Sequence, residues 1–335
     1  MMNYSKTDHS FPRVAVVGCG AWGKNLVRNF AELGALAAVY DSDPFKAKDL
    51  ASQYGLAAIS EEEIFSHPSL DAIVISSIAP LHAFHAEQAL KAGKHVYIEK
   101  PMALSVKDAQ KLCSLAKTHN RLLMVGHILH YHPAFIALQE RLPELGPLKH
   151  IYANRLALGR FRNQENVLWD LASHDISLIL ALTQDMPKSM TATAQTFLSP
   201  QKPASALLTL AFSDGLTAHI HTSWLSPFKE QKLVVVGENG IAVFDDCKPW
   251  AEKLQISKEC FIWQDGQPLA NSSFQTRYIS LPETEPLKNE CLHFLTCIQT
   301  SQNPVTSGLE GLRVTKVLEK AEHLLQERHN HDLLH

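Results

Sequence analysis

A glycine-rich turn near the start of the chain restricts the possible folds more than any other feature. The turn, Gly18-Cys19-Gly20-Ala21-Trp22-Gly23, follows four apolar residues, Val14–Val17, that have the pattern of a buried strand. A segment of helical pattern, Asn25–Leu33, comes directly after the turn. Strand, G-x-G-x-x-G turn and helix in this order are typical of a Rossmann unit, so we predict that the turn binds the phosphates of a dinucleotide.

The three glycines and a later aspartate have separate tasks in this prediction. Gly18 permits the tight turn, Gly20 lets the backbone approach a pyrophosphate, and Gly23 allows close packing of helix on strand. The helix N-terminus supplies N–H donors and positive partial charge. Asp41 lies 23 residues after Gly18, at the end of a second strand pattern. A carboxylate there accepts hydrogen bonds from a ribose 2′-hydroxyl and repels a 2′-phosphate, which favours NAD over NADP.

Strand and helix patterns alternate through the first third of the chain. Strand patterns occur at 14–17, 37–40, 71–76, 96–99 and 122–125, and helix patterns at 25–33, 44–54, 80–92 and 105–118. This alternation predicts an α/β fold, with a doubly wound parallel sheet in an NAD-binding Rossmann domain over residues 1–126.

The pattern changes after Gly126, where several strand patterns follow one another. They lie at 149–156, 190–197, 204–212, 216–224, 232–236 and 241–244, with a helix pattern at 166–182 and closing helices within 290–327. Ser213-Asp214-Gly215 and Glu238-Asn239-Gly240 have the composition of hairpin turns. Residues 127–335 are therefore predicted to form an α+β substrate-binding and oligomerisation domain with a large mixed or antiparallel open sheet.

A lysine directly follows the fourth strand pattern. Glu99-Lys100-Pro101 comes after the apolar run His95–Ile98, and Pro101 ends the strand because it lacks an N–H and has a restricted φ. Open α/β sheets bind ligands outside the carboxyl ends of their strands. A lysine held there is costly to bury without a partner, so we expect Lys100 to serve in the ligand site.

Asp170 and His174 form a second candidate pair. On a helix, a spacing of four places both side chains on one face, where the carboxylate orients the imidazole and raises its basicity. Such a histidine takes a proton from a hydroxyl while hydride leaves the same carbon. The spacing alone also fits a surface pair. Asp175 points away from this face and is expected to form a cap or a salt bridge.

These motifs together resemble those of the Gfo/Idh/MocA family, the relatives of glucose–fructose oxidoreductase and inositol dehydrogenase. The resemblance covers nearly the whole chain. It implies that Lys100 lies beside the nicotinamide and the substrate hydroxyl, and that His174, with Asp170, is the acid/base. The implied cofactor contacts are Gly18, Cys19, Gly20, Ala21, Trp22, Gly23, Asp41, Ser76, Ile78, Pro80, His82, Glu99 and Lys100.

One segment departs from the family pattern. Family members often have G-F-N-R-R-F-D-P after the last Rossmann strand, where this chain has Gly126-His127-Ile128-Leu129-His130-Tyr131-His132-Pro133. His127 or Tyr131 is expected to take over a substrate contact. The three histidines could suggest a metal, but no fourth ligand of suitable spacing follows, and the family's redox step uses none. We therefore predict substrate contact or core packing and no metal.

Three arginines, Arg155, Arg160 and Arg162, precede the Asp170 helix. Guanidinium groups suit a diphosphate or a carboxylate, although an exposed loop with solvated charges is the alternative. This stretch resembles a branch that oxidises C3 of a UDP-N-acetylhexosamine or its uronate, for 3-amino sugars of lipopolysaccharide. The predicted substrate residues are His127, Tyr131, Arg155, Arg160, Asn163 and His174.

Composition narrows the remaining classes. The net charge of −3 and the absence of a basic block argue against nucleic acid, and no stretch approaches the roughly 20 apolar residues of a membrane span. The polar N-terminus lacks a signal-peptide core, so a cytoplasmic location is expected. The alternatives are an inositol or free-monosaccharide dehydrogenase, an NAD-dependent glycosidase, and a non-catalytic nucleotide-binding protein. A homodimer or homotetramer is expected through the C-terminal sheet.

Overall fold

The computed structural model describes residues 11–159, 161–162, 165–197, 202–258, 260–264, 267–271 and 273–332. They form two compact units. Apart from the first residues of the chain, one unit contains the segment up to Ala103, Lys107–Gly126 and Leu287–Leu309, and the other contains Leu104–Val106, His127–Pro286 and the segment from Glu310 onward. Residues 127–335 were predicted to form one domain, whereas in the structure Leu287–Leu309 belongs to the first unit.

The elements follow the predicted order with some additions. The strands are β1 Val14–Val17, β2 Leu36–Tyr40, β3 Ala72–Ile75, β4 His95–Glu99, β5 Leu123–Gly126, β6 Leu148–Leu158, β7 Ser189–Gln195, β8 Ser205–Ala211, β9 Thr217–Ser223, β10 Leu225–Gly237, β11 Gly240–Asp245, β12 Leu254–Lys258, β13 Phe261–Gln264, β14 Gln267–Ala270 and β15 Gln275–Tyr278. The α-helices are α1 Gly23–Glu32, α2 Pro44–Gln53, α3 Glu61–Ser66, α4 Ala79–Lys91, α5 Val106–Thr118, α6 Pro133–Glu140, α7 Leu142–Leu145, α8 Ser173–Thr183, α9 Pro286–Thr300 and α10 Gly308–Asp332.

The first unit contains a five-stranded parallel sheet of order β2-β1-β3-β4-β5. Every residue of β1 and β3 is buried. Parallel strands that are covered on both faces read as continuous apolar runs, which is why the sequence showed them clearly. The strand order reverses after β1, as in a doubly wound sheet, and the predicted Rossmann architecture is confirmed.

Helix α3 was missed in the sequence analysis, although its start has a recognisable signal. The Ser60 hydroxyl accepts a hydrogen bond from the Glu63 N–H at 3.3 Å, and the Glu63 carboxylate accepts one from the Ser60 N–H at 3.1 Å. This reciprocal capping box satisfies two N–H groups at the helix start. The spacing of Ser60 and Glu63 therefore indicates the start of a helix even without a periodic pattern of apolar residues.

The second unit contains an eight-stranded sheet of order β15-β12-β11-β10-β6-β9-β8-β7. Strands β6 and β9 pair in parallel, and the other neighbours are antiparallel, so the predicted mixed sheet is confirmed. One face is buried: in β9, Ala218 and Ile220 are inaccessible, whereas His219 between them is exposed. This period of two places the apolar face of the sheet against α8, which contributes Ile176 and Ile179 to the same core.

No helix in the described part of the chain is both long enough and apolar enough to cross a membrane.

Candidate active site

The glycine turn of the first unit is shaped by close backbone contacts. Gly18 has φ of +101°, and a Cβ there would lie 2.6 Å from the carbonyl oxygen of Ser76. A Cβ on Gly23 would lie 1.9 Å from the carbonyl oxygen of Gly18, whereas a Cβ on Gly20 would meet no described atom within 4 Å. Gly18 and Gly23 are therefore required by packing, and the open space at Gly20 suits the approach of a phosphate.

Asp41 is held against this turn by backbone donors. Its Oδ2 accepts a hydrogen bond from the Cys19 N–H at 2.6 Å, and its Oδ1 accepts one from the Asp43 N–H at 2.9 Å. The carboxylate follows the last residue of β2 directly, which brings it to the carboxyl edge of the sheet. Burial, followed by the charge of Asp41, raises the pKa of the Cys19 thiol to about 12, so Cys19 stays protonated.

Glu99, at the end of β4, ties the glycine turn to the sheet. Its Oε1 accepts a hydrogen bond from Trp22 Nε1 at 2.6 Å and another from the Tyr97 hydroxyl at 3.1 Å. Burial raises the pKa of this carboxyl group. A Cβ on Gly126 would lie 2.9 Å from the same carboxylate, so a larger residue opposite Glu99 would displace this side chain.

Lys100 follows β4 directly, as predicted, and is half-buried. Its N–H donates to Glu99 Oε2 at 3.3 Å, and the Lys100–Pro101 peptide bond is cis. The Pro101 carbonyl oxygen lies 2.8 Å from Nδ1 of the buried His82, whose Nε2 lies 2.9 Å from the Ser77 carbonyl oxygen. A neutral imidazole has one N–H, so one of these contacts is a hydrogen bond in each tautomer. Burial lowers the pKa of His82 and favours this neutral form.

The remaining predicted cofactor residues of this unit lie at the carboxyl edge of β3. The Ser76 hydroxyl donates to the Gly18 carbonyl oxygen at 2.8 Å, so it closes the turn from the other side. Ile78 is exposed at the start of α4, and Pro80 lies in the first turn of that helix, where its missing N–H costs nothing. Their cofactor contacts stay predictions.

In the second unit, the segment that contains Asp170 differs from the predicted helix. Residues Leu168–Ala172 form a π-helical turn, and α8 begins only at Ser173. The expectation of one α-helix over 166–182 is therefore wrong at its start. Single π-turns are rare and occur frequently at functional sites. Asp170 Oδ2 accepts a hydrogen bond from Trp224 Nε1 at 3.1 Å, and Arg162 Nε lies 3.6 Å from Oδ1.

His174 is the second residue of α8 and is half-buried. Its carbonyl oxygen accepts a hydrogen bond from the Ser177 hydroxyl at 2.8 Å, within the first turn of the helix. Trp224 was not predicted as a site residue, because an apolar residue at the end of a strand pattern gives no indication of a polar contact. The catalytic roles of Asp170 and His174 stay predictions.

Arg155 has a partner that the sequence did not assign to it. Its Nε and Nη2 each donate to one carboxylate oxygen of Asp175 at 2.9 Å, and the Asp175 side chain is almost fully buried. This forked contact gives Arg155 a structural task and confirms the expected salt bridge of Asp175. The substrate contact of Arg155 stays a prediction. Arg160 and Asn163 lie outside the described residues.

The three histidines that follow β5, His127, His130 and His132, are all buried. His127 Nδ1 lies 2.7 Å from Glu310 Oε2, although 183 positions separate the two residues. His132 Nδ1 accepts a hydrogen bond from the Ala134 N–H at 3.0 Å, which starts α6. Burial lowers the pKa of His130 to about 4. Tyr131 is also buried, and its predicted substrate contact, like that of His127, is untested.

The parallel sheet, the close-packed glycine turn and the oriented Asp41 define a dinucleotide-binding protein of the Rossmann class. Residues 12–127 match the family model described as "Oxidoreductase family, NAD-binding Rossmann fold", and residues 151–243 match the model of the "GFO/IDH/MocA C-terminal domain". The chain belongs to the Gfo/Idh/MocA family of oxidoreductases. The match supports binding of NAD(P) by the first unit.

Known relatives include dehydrogenases of different substrates. The chain is 30% identical over 213 residues to UDP-N-acetylglucosamine 3-dehydrogenase of Acidithiobacillus ferrooxidans, covering 63% of this chain and 66% of that protein. It is 24% identical over 334 residues to inositol 2-dehydrogenase of Rhizobium meliloti, covering 94% and 97%. A solved structure of the Acidithiobacillus enzyme superposes with a TM-score of 0.85 at 24% identity, covering 94% of this chain and 97% of that one. The superposition shows that the fold is shared.

Proposed function

We propose that this chain is an NAD-dependent dehydrogenase that oxidises a secondary hydroxyl of a nucleotide sugar, at C3 of a UDP-N-acetylhexosamine or its uronate. The observation that carries the redox part of the proposal is the glycine turn with Asp41 held against it by two backbone N–H groups. The substrate is proposed from the similarity to a UDP-N-acetylglucosamine 3-dehydrogenase. The product is a ketone, which an aminotransferase would convert to a 3-amino sugar for lipopolysaccharide.

The proposed preference for NAD rests on charge at the end of β2. Asp41 presents a carboxylate where the ribose of the cofactor is expected, and Ser42-Asp43-Pro44 after it contains no arginine to bind a 2′-phosphate. The two N–H donors orient the carboxylate before any ligand binds, so its hydrogen bonds to ribose hydroxyls need little reorganisation.

The proposed oxidation of the hydroxyl uses a base, a carboxylate that orients the base, and a cationic hydrogen-bond donor. The nicotinamide supplies the hydride acceptor. His174 removes the proton of the C3 hydroxyl, and Asp170 orients the imidazole. Lys100 donates a hydrogen bond to the developing ketone oxygen, and its positive charge favours the alkoxide-like transition state. The contact from Trp224 holds the Asp170 carboxylate in one orientation, which supports the positioning task.

The nucleotide part of the substrate is assigned to the loop before the π-turn. The Arg162 side chain is exposed, and its Nε lies 3.6 Å from Asp170 Oδ1. Because this ion-pair contact is long, the guanidinium is available to bind an anion. Arg160, Asn163, His127 and Tyr131 complete the proposed substrate set. Arg155 is the weakest member, because its forked donors are occupied by Asp175.

The decisive experiment follows NADH absorbance with the purified full-length chain and a panel of UDP-sugars, inositol and free hexoses. We expect NADH with a UDP-N-acetylhexosamine or its uronate, and a ketone that an added aminotransferase consumes. Lys100→Met and His174→Asn should each lower kcat by orders of magnitude while NAD still binds, as measured by calorimetry. Near-normal turnover of Lys100→Met would refute the assigned role.

A dehydrogenase of inositol or a free monosaccharide is the second candidate, favoured by the relative that aligns over almost its full length. It would use the same Lys100 and His174 but no diphosphate contact. Arg162→Met should raise KM for the UDP-sugar under the first proposal and change nothing under the second. Release of free sugar without net NADH would instead indicate an NAD-dependent glycosidase, and absence of NADH with every sugar would indicate a non-catalytic nucleotide-binding protein.

Oligomer formation through the C-terminal sheet is proposed with the same function. The outer face of β8 exposes Leu207, which is 53% accessible, next to the outward-facing His219 and His221 of β9. Light scattering of the full chain against a Leu207→Asp variant tests this, since a dimer through this face should dissociate.

A further inference from the structure

Two buried histidines and a largely buried glutamate, all with metal-binding atoms, meet in the second unit. His127 precedes a short 3-10 turn, Ile128–Tyr131, that contains His130, and Glu310 lies in the first turn of α10. One nitrogen or oxygen atom of each lies within 4.8 Å of those of the other two. The histidines are 2% and 4% exposed, and the Glu310 side chain is 12% exposed.

The ring nitrogens of His130 take no part in the hydrogen bonding of this group. His127 Nδ1 and Glu310 Oε2 lie 2.7 Å apart and satisfy each other. In contrast, neither ring nitrogen of His130 makes a hydrogen bond of normal geometry with a described residue. Burial lowers the pKa of His130, against the charge of Glu310 and the main chain of Ser177, which raise it. Its ring stacks on that of His127 at 6.2 Å and meets the edge of Phe135 at 5.4 Å. A buried imidazole whose ring nitrogens make no hydrogen bond is unfavourable unless a ligand completes its environment.

We propose that His127, His130 and Glu310 bind one divalent transition-metal ion of the Zn²⁺ class. Ligand atoms at about 2.0–2.2 Å from a tetrahedral ion lie roughly 3.3–3.6 Å from one another. The observed separations run from 2.7 Å for His127 and Glu310 to at most 4.8 Å, so rotations of side chains suffice to reach that geometry. Two imidazoles and one carboxylate suit Zn²⁺, whereas Mg²⁺ and Ca²⁺ prefer oxygen ligands throughout.

The third ligand explains why the sequence argued against a metal. Spacing along the chain offered no partner for the histidines, because Glu310 lies 183 positions after His127. Acidic residues are common in the first turn of a helix, so the position of Glu310 in the sequence gives no indication of metal binding. With three protein ligands, the fourth position belongs to a water molecule. The ion would join the segment after β5 to the start of α10 and would stabilise that junction.

Metal binding is tested with the full-length chain after chelator treatment, by titration with Co²⁺ in visible absorption and displacement by Zn²⁺. We expect one ion per chain and a tetrahedral Co²⁺ spectrum. The chain has 18 histidines, including a C-terminal group, so the titration is repeated with His329, His331 and His335 replaced by alanine. Binding that disappears in this tail variant, or that never reaches one ion per chain, would overturn the proposal.

Ligand substitutions locate the site. His130→Gln and Glu310→Gln should each weaken Co²⁺ binding by at least about 100-fold. Replacing a residue that only hydrogen-bonds to a metal ligand already lowers metal affinity by about 10- to 100-fold. His132→Gln is the matched control, because His132 is buried in the same segment but bonds to the Ala134 N–H and lies 3.3 Å from Asp246. Unchanged affinity in His130→Gln would refute the assignment.

Circular dichroism and NAD affinity establish that the variants fold. If His130→Gln does not fold, X-ray absorption on the Co²⁺ form of the unaltered protein decides the question. A first shell of two imidazoles, one carboxylate oxygen and one water oxygen supports the proposal, and a shell without both imidazoles overturns it.

Discussion

The buried pair of Arg155 and Asp175 gives the sharpest test of how this structure is held together. Asp175 is 1% exposed and Arg155 is 8% exposed, and two parallel hydrogen bonds of 2.9 Å join them. Replacing Arg155 with Met keeps most of the side-chain volume and removes both donors. The substitution therefore leaves the Asp175 carboxylate buried without its cation.

The size of the effect follows from burial. Removing one partner of a buried ion pair typically costs about 3–5 kcal/mol, because the remaining charge has lost its compensation. For a unit of this size each 1 kcal/mol lowers Tm by about 2–4 °C, so Arg155→Met should lower it by roughly 6–20 °C. Arg162→Met, which removes an exposed arginine whose contact with Asp170 is long, should cost less than about 1 kcal/mol.

Urea unfolding of Arg155→Met, of Asp175→Leu and of the double variant Arg155→Met/Asp175→Leu measures the pair directly. The double variant should regain most of the lost stability, since an apolar pair of similar volume often replaces a buried ion pair without loss. Its KM for the UDP-sugar should equal that of the unaltered protein if Arg155 is structural. The reasoning fails if Arg155→Met unfolds at the same urea concentration as the unaltered protein and raises KM instead, because Arg155 would then be a substrate ligand.

Three further outcomes are expected. Gly23→Ala should abolish NAD binding in calorimetry and cost at least about 1–3 kcal/mol of stability, because its Cβ would overlap the Gly18 carbonyl oxygen; unchanged affinity would contradict the packing argument. Asp41→Ala should reduce the ratio of kcat/KM for NAD over NADP by at least about 10-fold, and an unchanged ratio would remove the ribose assignment. Burial, followed by the charge of Glu99, raises the pKa of Glu290, so the folded state binds this proton more tightly than the unfolded state and stability falls as pH rises above the ordinary glutamate pKa. In urea unfolding from acid to alkaline pH, Glu290→Gln should reduce the dependence of unfolding free energy on pH and should be more stable than the unaltered protein at high pH. If the two plots of stability against pH run parallel, the argument from a buried charge at Glu290 fails.

Sequence patterns predicted well those elements whose burial repeats regularly along the chain. The central strands of the parallel sheet are fully buried and were visible as apolar runs, and α1 and α4 end just before Gly34 and Gly93. Strand β15 was missed because all four of its residues are exposed, so it has no apolar period. The π-turn at Leu168–Ala172 was missed because a change from i→i+4 to i→i+5 bonding leaves the residue types of a helix unaltered.

The sequence by itself determined the class of the protein. The glycine turn, Asp41 and the residues after β4 lie within local segments, and their chemistry depends on backbone conformation and strand ends that neighbouring residues set. Only the tertiary structure decided the partners of the buried polar groups: Trp22 with Glu99, Arg155 with Asp175, and His127 with Glu310. These contacts join residues 20 to 183 positions apart, and no periodicity along the chain encodes which charges the packing of sheets and helices brings together.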